Sequence, residues 1–216
     1  MGRRDTFAAV IGLTILVGLV VDRVGGPWGQ PLVSVWTWLL CATLLIAEPA
    51  RRLRLLVCLV VATAGEGVLS LALGLYDYRL GNLPLFVPPG HVLLYWLGLH
   101  LAGRLPERLL AAVPWAAVGG VSLLALGGID GFGPLLLAVF LVCVRFGPAP
   151  RLYATMFLLS LLMELWSTWL GNWTWRPVLP IVGWPVANPP LAAGAFYCVL
   201  DLISESVGRR REVTSA

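Results

Sequence analysis

Two glutamates, Glu66 and Glu164, sit near the middle of strongly apolar stretches, and each is followed by the same order of residues. After Glu66 come Gly74-Leu75-Tyr76-Asp77-Tyr78-Arg79 and Pro84; after Glu164 come Gly171-Asn172-Trp173-Thr174-Trp175-Arg176 and Pro180. A carboxylate at mid-depth in a bilayer is costly unless it is paired, hydrated or protonated, so ionisable residues inside spans are candidates for function. The order Gly-x-aromatic-x-aromatic-Arg can put two rings on one side of an extended stretch, beside a cation. Asp201, in the last apolar run, has the same standing as the glutamates. Its counterpart in the first half is His100, an asymmetry that suits unequal acid and base roles. Two plainer readings stand beside these: a structural hydrogen bond joining Glu66, Glu164 and nearby hydroxyls, and an aromatic belt at the headgroup level.

Buried carboxyls, aromatic walls and an apolar pocket suit protonation of an alkene or epoxide, with ring faces stabilising the carbocation. A carboxyl removed from water is favoured in its neutral form, so it can serve as the acid at neutral pH. Glu66 and Glu164 are the expected proton donor or cation stabiliser, with Asp201 as partner and His100 as its mate. Tyr76, Tyr78, Trp173 and Trp175 are expected to wall the pocket, with Tyr95 and Asn188 as further binding residues. Arg79 and Arg176 are expected to hold an anionic or polar head at the outer face. His91, beside Pro88-Pro89, reads as interfacial, and Glu48, Glu107 and Glu205 as solvated. The chain has no GxGxxG, Walker loop, HExxH, DDxxD or GxSxG signature, and its two histidines are far apart, so neither cofactor nor metal is expected. Cys41, Cys58, Cys143 and Cys198 show no close pairing and read as small packing residues.

The elements that must position these residues follow from composition. Of the 216 residues, 59% are hydrophobic and 12% charged, with a mean hydropathy of +0.87, which describes an integral membrane protein. Apolar runs near 6–24, 31–47, 54–75, 87–103, 109–126, 131–144, 151–171 and 187–207 approach the length of a span; those at 87–103 and 131–144 are short. They lack a barrel's alternation, so helices are expected. All fifteen cationic side chains are arginine. With eight spans and a cytoplasmic N-terminus, only Arg23, Arg79 and Arg176 fall outside, which obeys the positive-inside rule and puts both termini in the cytoplasm of a cell-membrane protein. The net charge of +4 is then a matter of topology and anionic headgroups, and implies no nucleic-acid partner.

The glutamate segments belong to a longer register of matches about 100 residues apart. Gly25-Gly26 with Pro31-Leu32 returns as Gly127-Gly128 with Pro134-Leu135, and Pro49-Ala50-Arg51-Arg52-Leu53 as Pro148-Ala149-Pro150-Arg151-Leu152. Pro88-Pro89, followed by Tyr95 and His100, returns as Pro189-Pro190, followed by Phe196 and Asp201. Both proline pairs are expected to hold irregular backbone at the mouth of a helix. This register makes the chain a tandem duplication. The expected architecture is all-α, with four-helix repeats at 1–104 and 105–208 related by a pseudo-twofold axis along the membrane normal, and a cytoplasmic tail at 209–216.

The stretch Glu164-Leu-Trp-Ser-Thr-Trp-Leu-Gly-Asn-Trp-Thr-Trp175 resembles the integral-membrane carotenoid hydratases of the bacterioruberin type. Tyr76-Asp-Tyr-Arg-Leu-Gly-Asn-Leu-Pro-Leu-Phe86, repeated once per half, is similar to the duplicated membrane lycopene cyclases, although Leu85-Phe86 stands where those cyclases carry acidic residues. Glu66, Asn188 and Asp201 are similar in placement to the acidic set of the membrane terpene cyclases of meroterpenoid pathways. These resemblances imply acid chemistry on isoprenoids, as a metal-independent lyase or isomerase. The other roles open to such a chain are a lipid or small-molecule transporter and a non-catalytic subunit of a membrane complex.

Overall fold

The structure, a computed structural model, describes residues 2–180 and 182–214, with side chains through residue 207. The 209–216 tail, including Arg209, Arg210 and Arg211, lies outside the residues whose side chains are described. The chain is 75% helical. Its helices are α1 (Arg3–Val24), α2 (Gly26–Ala47), α3 (Arg52–Glu66), α4 (Val87–Ala102), α5 (Glu107–Leu126), α6 (Gly133–Phe146), α7 (Pro150–Leu170) and α8 (Gly194–Thr214). A 3-10 turn, Pro49–Arg51, leads into α3, and a π-helical stretch, Gly67–Ala72, continues it. Each expected apolar run is thus helical over most of its length.

Five of these rods are long and apolar enough to cross a membrane: α1, α2, the continuous Pro49–Ala72 segment, α5 and α7. α4 and α6 have 16 and 14 residues, below the about 20 that a hydrocarbon core demands. The outward faces are apolar, with Leu13, Val35, Val60, Leu123 and Leu162 all more than half exposed, the reverse of a water-facing helix.

The punctuation is local. Prolines occupy the first turns of α2, α4, α6 and α7, where a missing N–H leaves no hydrogen bond unmade, and Gly25, Gly103, Gly127, Gly147 and Gly171 follow the ends of α1, α4, α5, α6 and α7. This corrects the expectation for Pro88-Pro89, which lie within the regular first turn of α4. Pro189-Pro190 do precede their helix, after a cis Asn188-Pro189 bond.

Polar contacts gather at two ends of the bundle. At one, Arg4 and Arg51 pair with Glu48, Arg104 with Asp5, and Arg54 with Glu205. Arg151 donates there to the carbonyls of Ala102 and Leu105. Glu48 and Glu205 are buried in these pairs rather than solvated, whereas Glu107 is exposed. At the other end, Arg23 donates to Leu170 O, Arg79 to Asp22, and Arg176 to Asp77. The two ends are joined by helices that run alternately up and down.

At this second end two short strands pair antiparallel: β1 (Tyr76–Tyr78) and β2 (Trp173–Trp175), with Tyr76 opposite Trp175, Asp77 opposite Thr174 and Tyr78 opposite Trp173. The pair forms a strap across the helix ends.

Helix contact is close where α8 starts against α7. A Cβ at Gly194 would stand 2.6 Å from Ser160 Oγ and 2.9 Å from Phe157 Cα, and the backbone atom cannot rotate away. Gly194→Ala is therefore expected to destabilise the protein by about 1–3 kcal/mol, as overpacking of a filled interior does, read as a lowered thermal midpoint in detergent.

Candidate functional site

The strap's alternation decides where its side chains go. Asp77 and Thr174 face outward, while Tyr76, Tyr78, Trp173 and Trp175 are buried on the inner side. The four rings pack on one another across the strand pair, with centroids 4.8 Å apart for Tyr76–Trp175 and 5.9 Å for Tyr78–Trp173. Their polar tips reach down to the two glutamates. Tyr76 and Tyr78 donate their hydroxyls to Glu66 Oε2 at 2.8 and 2.7 Å. Trp173 and Trp175 donate their indole N–H groups to Glu164 Oε2 at 2.9 and 3.0 Å. Each carboxyl is thus held by the strand that follows it in sequence. Burial, reinforced by Glu66, pushes the Tyr76 and Tyr78 phenols far above their ordinary value, so both remain protonated donors.

Both carboxyls and all four rings line one cavity of about 580 Å³. The remaining wall is apolar apart from Thr14, Thr37, His91 and Tyr197, and comes from α1, α2, α3, α4, α6, α7 and α8. His91 is a site residue that the interfacial reading missed. Its Nδ1 stands 2.9 Å from Val87 O and must donate there, since a carbonyl only accepts; the neutral ring then presents Nε2 as a base. That nitrogen lies 3.5 Å from Glu66 Oε1. Tyr197 stacks on the imidazole with centroids 5.1 Å apart. Spacing alone gave no sign of either contact, because each depends on α4 packing against α3 and α8.

The two carboxyls differ in what holds them. Glu66 has hydroxyls on one oxygen and an imidazole beside the other. Glu164 is held only by N–H groups, which cannot accept, and no donor among the described residues reaches its Oε1. A proton carried by Glu164 therefore belongs on Oε1. No arginine lines the cavity, so neither carboxyl has a guanidinium there to offset its charge.

The remaining sequence candidates lie elsewhere. His100 stacks on Trp96 and contacts Asp5 at 3.3 Å, at the opposite end of the bundle. Asp201 is fully buried with no partner on either oxygen, and does not line the cavity. Tyr95 donates to Glu205. Asn188 Oδ1 accepts the Trp175 backbone N–H at 3.0 Å, which steadies β2. Arg79 and Arg176, expected to hold a substrate head, are instead occupied: Arg79 by Asp22, and Arg176 by both oxygens of Asp77 at 3.1 Å. The four cysteines are buried and form no disulfide. Among the described residues no three His, Cys, Asp or Glu side chains are grouped to hold a metal ion.

Fold and site together define a helical protein with segments long and apolar enough to cross a membrane and an apolar cavity holding two ring-clamped carboxyls. Comparison of the chain with protein-family models, with curated proteins and with solved structures finds no match.

Proposed function

We propose that this protein is a membrane-embedded enzyme that protonates an isoprenoid or similar hydrophobic lipid and leads the resulting cation to a cyclised, isomerised or hydrated product. The observation that carries this reading is the pair of carboxyls, each clamped by its own strand of rings, inside one apolar cavity. In this scheme Glu164 Oε1 gives its proton to an alkene carbon, whose π electrons form the new C–H bond. The cation left on the neighbouring carbon lies among four electron-rich rings and opposite Glu66. It is discharged when a C–H proton passes to the Glu66–His91 pair, or when water adds and the resulting oxonium gives its proton to that pair.

The same geometry supports a tandem duplication of four helices with eight spans. The paired strands come from matching places in the two halves, and an antiparallel pair has a local twofold axis perpendicular to its sheet. With the strap taken to lie flat over the cavity, that axis would run along the membrane normal. The arginine-rich end would be cytoplasmic. Both glutamates face inward, which counts against a subunit that offers them to a partner helix.

The test is lipid mass spectrometry of wild type and a Glu66→Gln, Glu164→Gln double variant purified in mild detergent. A defined isoprenoid retained unmodified only by the folded double variant is the expected result. Identical lipid profiles would move the reading to transport or to a subunit role.

A further inference from the structure

The cavity's wall is buried or half-buried almost throughout. Among its lining residues only Ala64, Val68 and Val199 are exposed, Val68 by 51% and Val199 by 37%. Ala64 and Val68 share a face of the rod formed by α3 and its π-helical continuation, and Val199 lies on α8, which packs against α3. A residue that lines a cavity and also faces outward marks its rim. The polar end offers no comparable opening, because the strap and its rings close it.

From this rim we infer that the cavity is loaded sideways from the bilayer, between α3 and α8, by an uncharged hydrocarbon whose end group enters while its tail stays in the lipid. The inference rests on the proposed function for the fate of the end group, though not for its entry. Charge selects the ligand: no arginine lines the wall, so a phosphate head would lose its hydration there without gaining a counter-ion. Size sets the manner of seating, since a cavity of about 580 Å³ with a side opening takes one end of a long chain. Gly65 and Gly90 line the track, and a Cβ at either would meet nothing within 4 Å. A side chain added at either position therefore starts in open space rather than against the protein.

The probe is squalene, an uncharged thirty-carbon isoprenoid, added to the purified full-length protein and counted by native mass spectrometry, which strips the micelle and leaves what the protein holds. Wild type is expected to retain one squalene, and Gly90→Leu and Gly65→Leu, with thermal midpoints like that of wild type, to retain none. A Val68→Trp, Val199→Trp double variant is expected to load more slowly than wild type. Leu71→Trp, exposed on the same π-helical stretch but outside the cavity lining, is expected to load at the wild-type rate. No squalene on wild type, full retention by both folded leucine variants, or unchanged loading of the tryptophan pair would overturn the inference, as would displacement of squalene by phosphatidylglycerol. A protein that loads squalene in this way yet leaves every isoprenoid unmodified keeps the side entrance and loses the proposed chemistry.

Discussion

Glu164→Gln should slow product formation by about 10²–10⁴-fold, the contribution typical of a positioned general acid. The substitution keeps shape and removes only the transferable proton. A glutamine side-chain oxygen can still accept from Trp173 and Trp175, so the strap has no reason to move. Infrared spectroscopy separates this role from a merely structural one. The difference spectrum between wild type and Glu164→Gln should contain the C=O stretch of one protonated carboxylic acid, and the difference between wild type and Glu66→Gln should contain none, the other buried carboxyls cancelling in both. Glu66→Gln should also lose turnover, because the cation then lacks its counter-charge and the departing proton its acceptor. His91→Gln should resemble Glu66→Gln. A carboxylic band that disappears in Glu66→Gln instead would reverse the two roles and leave acid catalysis as a class intact. Full turnover in both variants would remove it.

Much of this arrangement was legible in the order of residues, and the parts that were not share a cause. Apolar runs located the helices because burial in lipid needs only hydrophobic length. The alternation in Tyr76-Asp77-Tyr78 and in Trp173-Thr174-Trp175 is a property of one short stretch, so its consequence for the rings could be read directly. His91 against Glu66, Arg79 against Asp22 and Arg176 against Asp77 are contacts between separate elements, with the last spanning the two halves. Matching repeats by position pairs His100 with Asp201, but matched positions need not meet in space. Their helices carry them away from the cavity, His100 to Asp5 at the bundle's end and Asp201 into a buried place without a hydrogen-bond partner. The arginines misled for a related reason: a cation at the membrane surface attracts a lipid head only while it is unpaired, and each of these has an acid of its own.

Asp22→Ala should destabilise the protein by about 3 kcal/mol, near the lower end of the cost of leaving a buried charge without its partner, because the Arg79 side chain keeps 20% of its exposure. Asp22 itself is 2% exposed, in the last turn of α1. Its Oδ2 accepts the Asn172 amide at 2.6 Å, and its Oδ1 lies 3.3 Å from the Arg79 guanidinium, which also donates to the Asp22 carbonyl at 2.6 Å. Arg79 directly follows β1 and Asn172 directly precedes β2, and the Arg79 backbone N–H donates to Asn172 O at 2.9 Å. One carboxylate thus pins the same end of both strands to α1. Without it the strap should loosen, and the rings that hold Glu66 and Glu164 should lose their register over the cavity. Turnover is therefore expected to fall along with stability, although Asp22 does not line the cavity. A double-mutant cycle supplies the test. Adding Arg79→Met to Asp22→Ala removes the unpaired charge, so the pair of substitutions should cost less in thermal stability than the sum of the singles. Strictly additive losses would show that Arg79 and Asp22 stabilise the protein separately, and the strap would then be held by its own backbone hydrogen bonds.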